Sequence, residues 1–277
     1  MKQLILHVVF WLAALWLFLR WFEWKSLYVP SRVVDQTPAD VGLAYEDVEF
    51  FTEDGVRLHG WWIPHPEARG TILYFHGNGM NIATRLELCK DLHRLDVNMF
   101  IFDYRGYGRS RGWITTEQGT YRDARAAYEV IRARYGDQEN PPVVAYGASL
   151  GAAIASQLAL DKPVRAAVFE AGFNNTIDVG KRLYPWLPVR WMVKFRYETD
   201  RRVAQLHIPK LFAHSRDDTL IPIELGQKLF AAAAEPKQFV KLTGPHGESG
   251  WNESPAFWPA LSEFIDRALP RSSDPLQ

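Results

Sequence analysis

The sequence predicts an α/β architecture: a mostly parallel central sheet flanked by helices, with a small lid insertion and an N-terminal transmembrane helix. Two observations carry the sheet. Short apolar runs of strand length recur along the chain, and stretches of helical pattern separate them, as in a parallel sheet wrapped on both faces. One such run ends in Tyr146-Gly147-Ala148-Ser149-Leu150-Gly151, a Gly-x-Ser-x-Gly turn between a strand and an Ala- and Leu-rich helix. A third observation, an uncharged stretch from Leu4 to Leu19, carries the membrane segment.

In chain order, that N-terminal stretch comes first. His7 is its only polar residue, and Trp21-Phe22 extend it past Arg20. About nineteen helical residues span roughly 28 Å, close to a bilayer's hydrocarbon core. Trp21 and Trp24 suit an interfacial belt. A cleaved signal would end in a small-x-small exit, and Leu17 to Trp21 offers none, so an uncleaved anchor over residues 1–24 is expected. Lys2 lies on one side, and Arg20, Lys25 and Arg32 on the other, a weak lean toward a cytoplasmic body. The membrane is expected to be a bacterial inner membrane or an equivalent one. Residues 25–45 are expected to be a linker, with Pro30 and Pro38 bounding its central part.

The body then spans residues 46–270. Glu46 to Ile63 predicts a hairpin folded at Asp54-Gly55. Strands are expected to begin near Thr71, Asn98, Val143, Ala166, Lys210 and Lys237. Helices are expected over Asn81–Arg94, Thr116–Arg134, Leu150–Leu160, Glu224–Ala234 and Pro255–Leu269. Residues 173–205, rich in Trp, Tyr, Pro and Arg, interrupt the alternation and predict a lid. Its aromatic side chains either line an acyl pocket or pack the lid onto the body. Residues 271–277 are expected to be a frayed tail.

The chemistry is concentrated at the strand ends. A Cβ at Gly147 or Gly151 would strike backbone in so tight a turn, and the strain lifts the Ser149 hydroxyl beside the amides of the helix start. Ser149 is therefore the expected nucleophile. The run Thr71–Phe75 ends in His76-Gly77-Asn78-Gly79, where a backbone N–H can face the site. The N–H groups of Asn78 and Leu150 would then form a two-donor oxyanion hole. After the run Pro209–Ala213 come Asp217 and Asp218. Only one of these adjacent carboxylates can point at a histidine; Asp218 is the choice, Asp217 the fallback, and Glu170 a third candidate. Beyond the strand Phe239–Leu242, His246 lies in a Gly-Pro-His-Gly loop, beyond the candidate acids. In triad logic His246 takes the Ser149 proton, and Asp218 fixes its tautomer.

Composition limits the alternatives. Formal net charge is zero over 277 residues, so no nucleic-acid partner is indicated. Cys89 is the single cysteine, which excludes an intrachain disulfide and a cysteine-based metal cluster.

With these residues in view, the chain resembles the α/β-hydrolase superfamily, and most of all its small membrane-anchored Bem-type and depalmitoylase-like serine hydrolases. The likeness includes Tyr28-Val29-Pro30, Leu58-His59-Gly60-Trp61, His76-Gly77-Asn78, Asp103-Tyr104-Arg105-Gly106-Tyr107-Gly108, the Ser149 turn, Asp218 to Pro222, and His246. Pro245 stands where such proteins more often carry Gly. The resemblance implies hydrolysis of acyl esters or thioesters through an acyl-enzyme and without a cofactor; the anchor, by holding the site near a bilayer, points to a lipid-derived substrate. A non-catalytic binding module on the same fold, or cleavage of amide bonds, are the alternatives.

Overall fold

Asp54 and Gly55 turn the first hairpin because Gly55 takes φ +76°, and Thr52 Oγ1 donates to Asp54 Oδ1 at 2.6 Å. The structure is a computed structural model and describes residues 1–136, 138, 140–247 and 254–271. The chain starts with α1 (Lys2–Leu27) and β1 (Val29–Pro30). The hairpin strands β2 (Glu46–Phe51) and β3 (Arg57–Ile63) follow, then β4 (Thr71–Phe75) and the short β5 (Gly79–Met80). Next come α2 (Leu86–His93), β6 (Asn98–Asp103), α3 (Glu117–Arg134), β7 (Val143–Ala148), α4 (Leu150–Asp161) and β8 (Ala166–Glu170). The insertion holds α5 (Thr176–Leu183), α6 (Val189–Met192) and α7 (Thr199–Val203). β9 (Lys210–Ser215), α8 (Ile223–Ala232), β10 (Lys237–Leu242) and α9 (Phe257–Ala268) complete the described chain.

Eight strands form one sheet in the order β10-β9-β8-β7-β4-β6-β3-β2. β3 runs antiparallel to both neighbours, and every other pairing is parallel. β4, β7 and β8 are buried along their whole length, as strands covered on both faces must be. Alternate residues serve opposite layers. Leu73 and Phe75 join the core under α3, α4 and α8, whereas Ile72 and Tyr74 join the one under α2 and α9. This is the α/β-hydrolase fold that the sequence predicts, with its helices on both faces.

Two expectations need correction. The helix expected over Asn81–Arg94 begins as a 3-10 turn, Ile82–Arg85, and becomes α-helical only at Leu86. Asn81 Oδ1 accepts the Ala83 N–H and Asp103 Oδ1 accepts the Ile82 N–H, so outside acceptors hold the first amides in a tighter turn. Residues 25–45, expected as a linker, dock onto the body at their start. Tyr28 is fully buried with its hydroxyl 2.8 Å from that of Tyr197, and β1 pairs with β5. Burial of that ring and two strand bonds leave no free tether beside α1.

α1 is 26 residues long with no buried residue, and it is long and apolar enough to cross a membrane. Only its last turns touch the body. Glu23 Oε1 accepts the backbone N–H groups of Lys194 and Phe195 at 2.6 and 2.8 Å. Arg20 donates to the Met192 carbonyl, and Trp24 Nε1 to that of Thr115. The expected tail falls, from residue 272 onward, outside the described residues.

Candidate active site

Ser149 sits between the last residue of β7 and the first of α4, at φ +54° and ψ −116°. A non-glycine residue in that region is strained and is held there by its surroundings. Its N–H bonds the Glu170 carbonyl at 2.8 Å, and its carbonyl accepts the Ala152 N–H at 3.0 Å. The glycines on either side are obligatory. A Cβ at Gly147 would lie 2.2 Å from the Gly151 carbonyl oxygen, and one at Gly151 only 1.9 Å from that of Phe75. So close an approach between α4 and the end of β4 brings the helix's first amides, which lack intrahelical acceptors, beside the serine.

The loop after β4 is built around His76, which is fully buried. Its Nδ1 is 2.7 Å from the Gly77 carbonyl, which can only accept, so the proton is on Nδ1. Burial, with the nearby Arg85 charge, pushes the ring's pKa down to about 3, and it stays neutral. Because the Gly77 carbonyl faces that ring, the N–H of the same trans peptide, that of Asn78, points the opposite way. The Asn78 carbonyl accepts the Tyr107 hydroxyl at 2.8 Å and the Val29 N–H at 3.0 Å, which fixes the next peptide too. Gly77 packs against Ser149, as a Cβ there would be 3.6 Å from the serine's. Asn78, Ser149 and Leu150 border one cavity.

The acid and the histidine lie together. Asp218 Oδ2 accepts the His246 Nδ1–H at 2.6 Å, and its Oδ1 accepts the N–H groups of Leu220 and Ile221 at 3.0 and 2.8 Å. Burial alone would raise this carboxyl. The hydrogen bonds from His214 and His246, the His246 charge and the Ile221 amide together hold it well below the usual range, so it is ionised. Asp217, half exposed, accepts the Gly244 N–H at 3.0 Å, and Ser215 Oγ donates to the Gly244 carbonyl at 2.5 Å. These two side chains thus pin the start of the histidine loop, a contact the sequence reading missed. Glu170 is buried at the end of β8 and accepts the Tyr146 hydroxyl at 2.6 Å. Among the described residues, no hydrogen bond joins the Ser149 hydroxyl to the His246 ring.

The cavity over Ser149 has a volume of about 170 Å³ and is mostly apolar. The lid supplies Phe173, Val179, Leu183 and Tyr184, and the loop after Asp218 supplies Leu220 and Ile221. The opposite wall is α1, through Leu19, Phe22, Glu23 and Leu27. Nothing in the apolar pattern of α1 marks those residues; only Glu23, a charge at the end of a lipophilic helix, hints at a protein contact. Among the described residues, no three His, Cys, Asp or Glu side chains group as a metal site.

Known proteins resemble this chain in sequence and in fold. A family model described as serine aminopeptidase, S33, matches residues 66–192. The chain is 33% identical over 276 residues to the α/β-hydrolase domain-containing protein WAV2 of Arabidopsis thaliana, covering 90% of this chain and 89% of that one. It is 31% identical over 228 residues to lysophosphatidylserine lipase ABHD12 of Macaca fascicularis, covering 72% and 56%. An esterase of Pyrococcus furiosus has a similar structure, with a TM-score of 0.70 at 23% identity over 88% of this chain and 98% of that one. Likeness to WAV2 along nearly the whole of both chains shows the family: this protein belongs to the α/β-hydrolase superfamily.

Proposed function

We propose that this chain is a membrane-anchored serine hydrolase that cleaves carboxylic esters or thioesters through an acyl-enzyme on Ser149. The observation that carries the reading is the placement of three parts. The strained Ser149 borders a mostly apolar cavity, Asn78 and Leu150 border it with the serine, and the Asp218–His246 pair lies on the neighbouring strand ends.

The Ser149 Oγ attacks the acyl carbon while its proton passes to His246 Nε2, with Asp218 holding the Nδ1–H. The carbonyl electron pair moves onto oxygen, between the Asn78 and Leu150 N–H groups. As that pair returns, the bond to the alcohol or thiol breaks, and the leaving group takes the proton from His246. Water then attacks the acyl-enzyme by the same route, releasing the acid and restoring the serine. The Ser149–His246 hydrogen bond, absent among the described residues, forms in the complex with substrate, where catalytic hydrogen bonds commonly tighten.

The S33 family model favours a second reading, cleavage of an amide next to a free amino terminus. Such a substrate needs a carboxylate in the cavity for its ammonium. Glu23 is a carboxylate in the cavity wall, but it is engaged by Arg20 at 2.8 Å and by two backbone amides. A mostly apolar lining, and the lipase named among the relatives, support an acyl ester instead.

The exposed α1 supports anchoring by a single N-terminal span. The full chain in detergent, treated with a fluorophosphonate and then with matched esters, thioesters and aminoacyl anilides, tests the reading. Labelling should be lost in Ser149→Ala and esters should be turned over. Labelling that survives the substitution, or turnover of the anilides alone, rejects it.

A further inference from the structure

The anchor helix forms part of the cavity wall as well as the expected membrane tether. Its last two turns line the cavity beside the lid, Leu19 and Phe22 of α1 together with Leu183 and Tyr184. Phe22 meets the Tyr184 ring edge-on at 5.4 Å, and Phe18 stacks on Phe22 at 6.2 Å. Apolar side chains therefore follow one another from the cavity wall at Phe22 to Phe18, which is 53% exposed on α1. The cavity itself is small. Its roughly 170 Å³ is close to an engineered cavity of about 150 Å³ that holds one benzene, so it accepts about six carbons. The rest of a longer chain must leave along the seam between α1 and α5.

Two further observations set the height of the bilayer. Toward the C-terminal end of α1 the charged Arg20 and Glu23 are both engaged by the end of α6 and the segment after it, Met192 to Phe195. Trp113, Trp186 and Trp191 are 95%, 74% and 87% exposed, an unusual cost for three large rings in water. Trp191 adjoins the Met192 that bonds Arg20, and Trp113 lies two residues from the Thr115 that bonds Trp24. Tryptophans grouped around the exit of a lipophilic helix fit the headgroup level of a membrane.

We infer that the last two turns of α1 are one wall of the acyl-binding site. Through the seam between α1 and α5, the acyl chain of a membrane lipid ester stays in the bilayer while its carbonyl reaches Ser149. This rests on the hydrolase reading above and adds the source of the substrate and the route it takes. The anchor is then a specificity element: chains that bridge cavity and bilayer keep apolar surroundings throughout, and short or bulky water-soluble acyl groups do not use the seam.

The test uses the full chain in phosphatidylcholine nanodiscs and a hexadecyl fluorophosphonate that carries a diazirine at its far end. The serine oxygen bonds phosphorus, fluoride leaves and the proton passes to His246, so the head is fixed at Ser149 and the tail reports its own path. On irradiation, crosslinks should fall on α1 between Phe18 and Leu27, on Leu183, or on the nanodisc lipid. Crosslinks confined to Leu220, Ile221 or the body overturn the inference. A wild-type chain that does not label at all overturns the hydrolase reading beneath it.

Kinetics give a second arm. Leu19→Trp and Leu183→Trp should each narrow the seam and lower the ratio of kcat/KM for a dodecanoyl over a butyryl ester about tenfold or more. Activity with an unchanged ratio in both variants overturns the inference and leaves the serine chemistry standing. A wild-type chain that turns over an S-acylated peptide faster than dilauroyl lipid in the bilayer points to a protein substrate, and equally overturns it.

Discussion

Asp217 and Asp218 are adjacent in the chain, yet their carboxylates serve different partners. Asp218 Oδ2 holds the His246 ring N–H at 2.6 Å, while Asp217 Oδ2 holds the Gly244 backbone N–H at 3.0 Å, two residues before that histidine. One carboxylate sets the ring's tautomer and the other positions the loop that carries the ring.

The pair separates by substitution. Asp218→Asn should lower turnover about ten-thousandfold, as loss of the orienting acid does in a well-studied triad. Asp217→Asn keeps a carbonyl that can accept the Gly244 N–H, so its turnover should fall by about tenfold at most. Steady-state kinetics at equal folded fraction decide the matter. A crippled Asp217 variant beside an active Asp218 variant reverses the two roles.

The glycine at the start of α4 is a sharper structural test. At Gly151 an added methyl meets the Phe75 and His76 carbonyl oxygens at 1.9 and 2.8 Å, and backbone cannot move aside cheaply. Gly151→Ala should cost about 3 kcal/mol or more by overpacking and displace the loop that holds Asn78. Gly136→Ala is the control. Its φ of +60° is unfavourable for alanine but nothing lies within 4 Å, so the loss should stay near 1 kcal/mol. Chemical denaturation midpoints compare the two; a Gly151 variant as stable as the control means that α4 and β4 do not approach as described.

Much of this was legible in the chain, for local reasons. Buried parallel strands read as continuous apolar runs, so the starts at Thr71, Asn98, Val143, Ala166 and Lys210 coincide with β4, β6, β7, β8 and β9. The start at Lys237 coincides with the half-buried edge strand β10. The Ser149 turn is also local, because its two glycines answer clashes set by the turn itself. What could not be read joins distant parts of the chain. Glu23 meets Lys194 across 171 positions, and no periodicity in α1 marks Phe22 as facing a lid. Asp217 shows the same limit from another side: a loop carboxylate has no pattern, and its partner was found only when Gly244 arrived from β10. The burial of Tyr28 hid equally well, since a tyrosine after a lipophilic helix looks like an interfacial residue.

The anchor makes its own prediction. If residues 1–24 stay attached and cross the bilayer, protein from washed membranes begins at its first residues and resists extraction by alkaline carbonate. Mass spectrometry of the intact membrane-bound chain checks the first point, and fractionation the second. A mature chain starting near residue 25 identifies a cleaved signal and removes the α1 wall from the cavity.

Asp103 gives a pH dependence whose sign is fixed by burial. The carboxyl is fully buried; its Oδ1 accepts the Ile82 N–H at 3.0 Å and lies 3.8 Å from His76 Nε2. Burial raises its pKa to about 7, against the lowering effect of the Ile82 and Arg109 amides and the Arg32 and Arg85 charges. In the unfolded chain the same group loses its proton near pH 4. Between those values the folded state holds a proton that the unfolded state does not. The Asp103 contribution to stability is therefore full below about pH 4 and is lost as pH rises through about 7. Asparagine has the same shape, can still accept from Ile82, and does not titrate. The difference in stability between Asp103→Asn and wild type should move in the variant's favour by up to about 1.4 kcal/mol for each pH unit across that window. His76 is present in both proteins, so its own titration largely cancels in the difference. Thermal unfolding of both chains in the same detergent, from about pH 5 to about pH 8, measures it. A gap in Tm that stays flat with pH means that Asp103 is ionised in the fold, and its charge would then have to be balanced by Arg85 and Arg32 around the Asn78 loop.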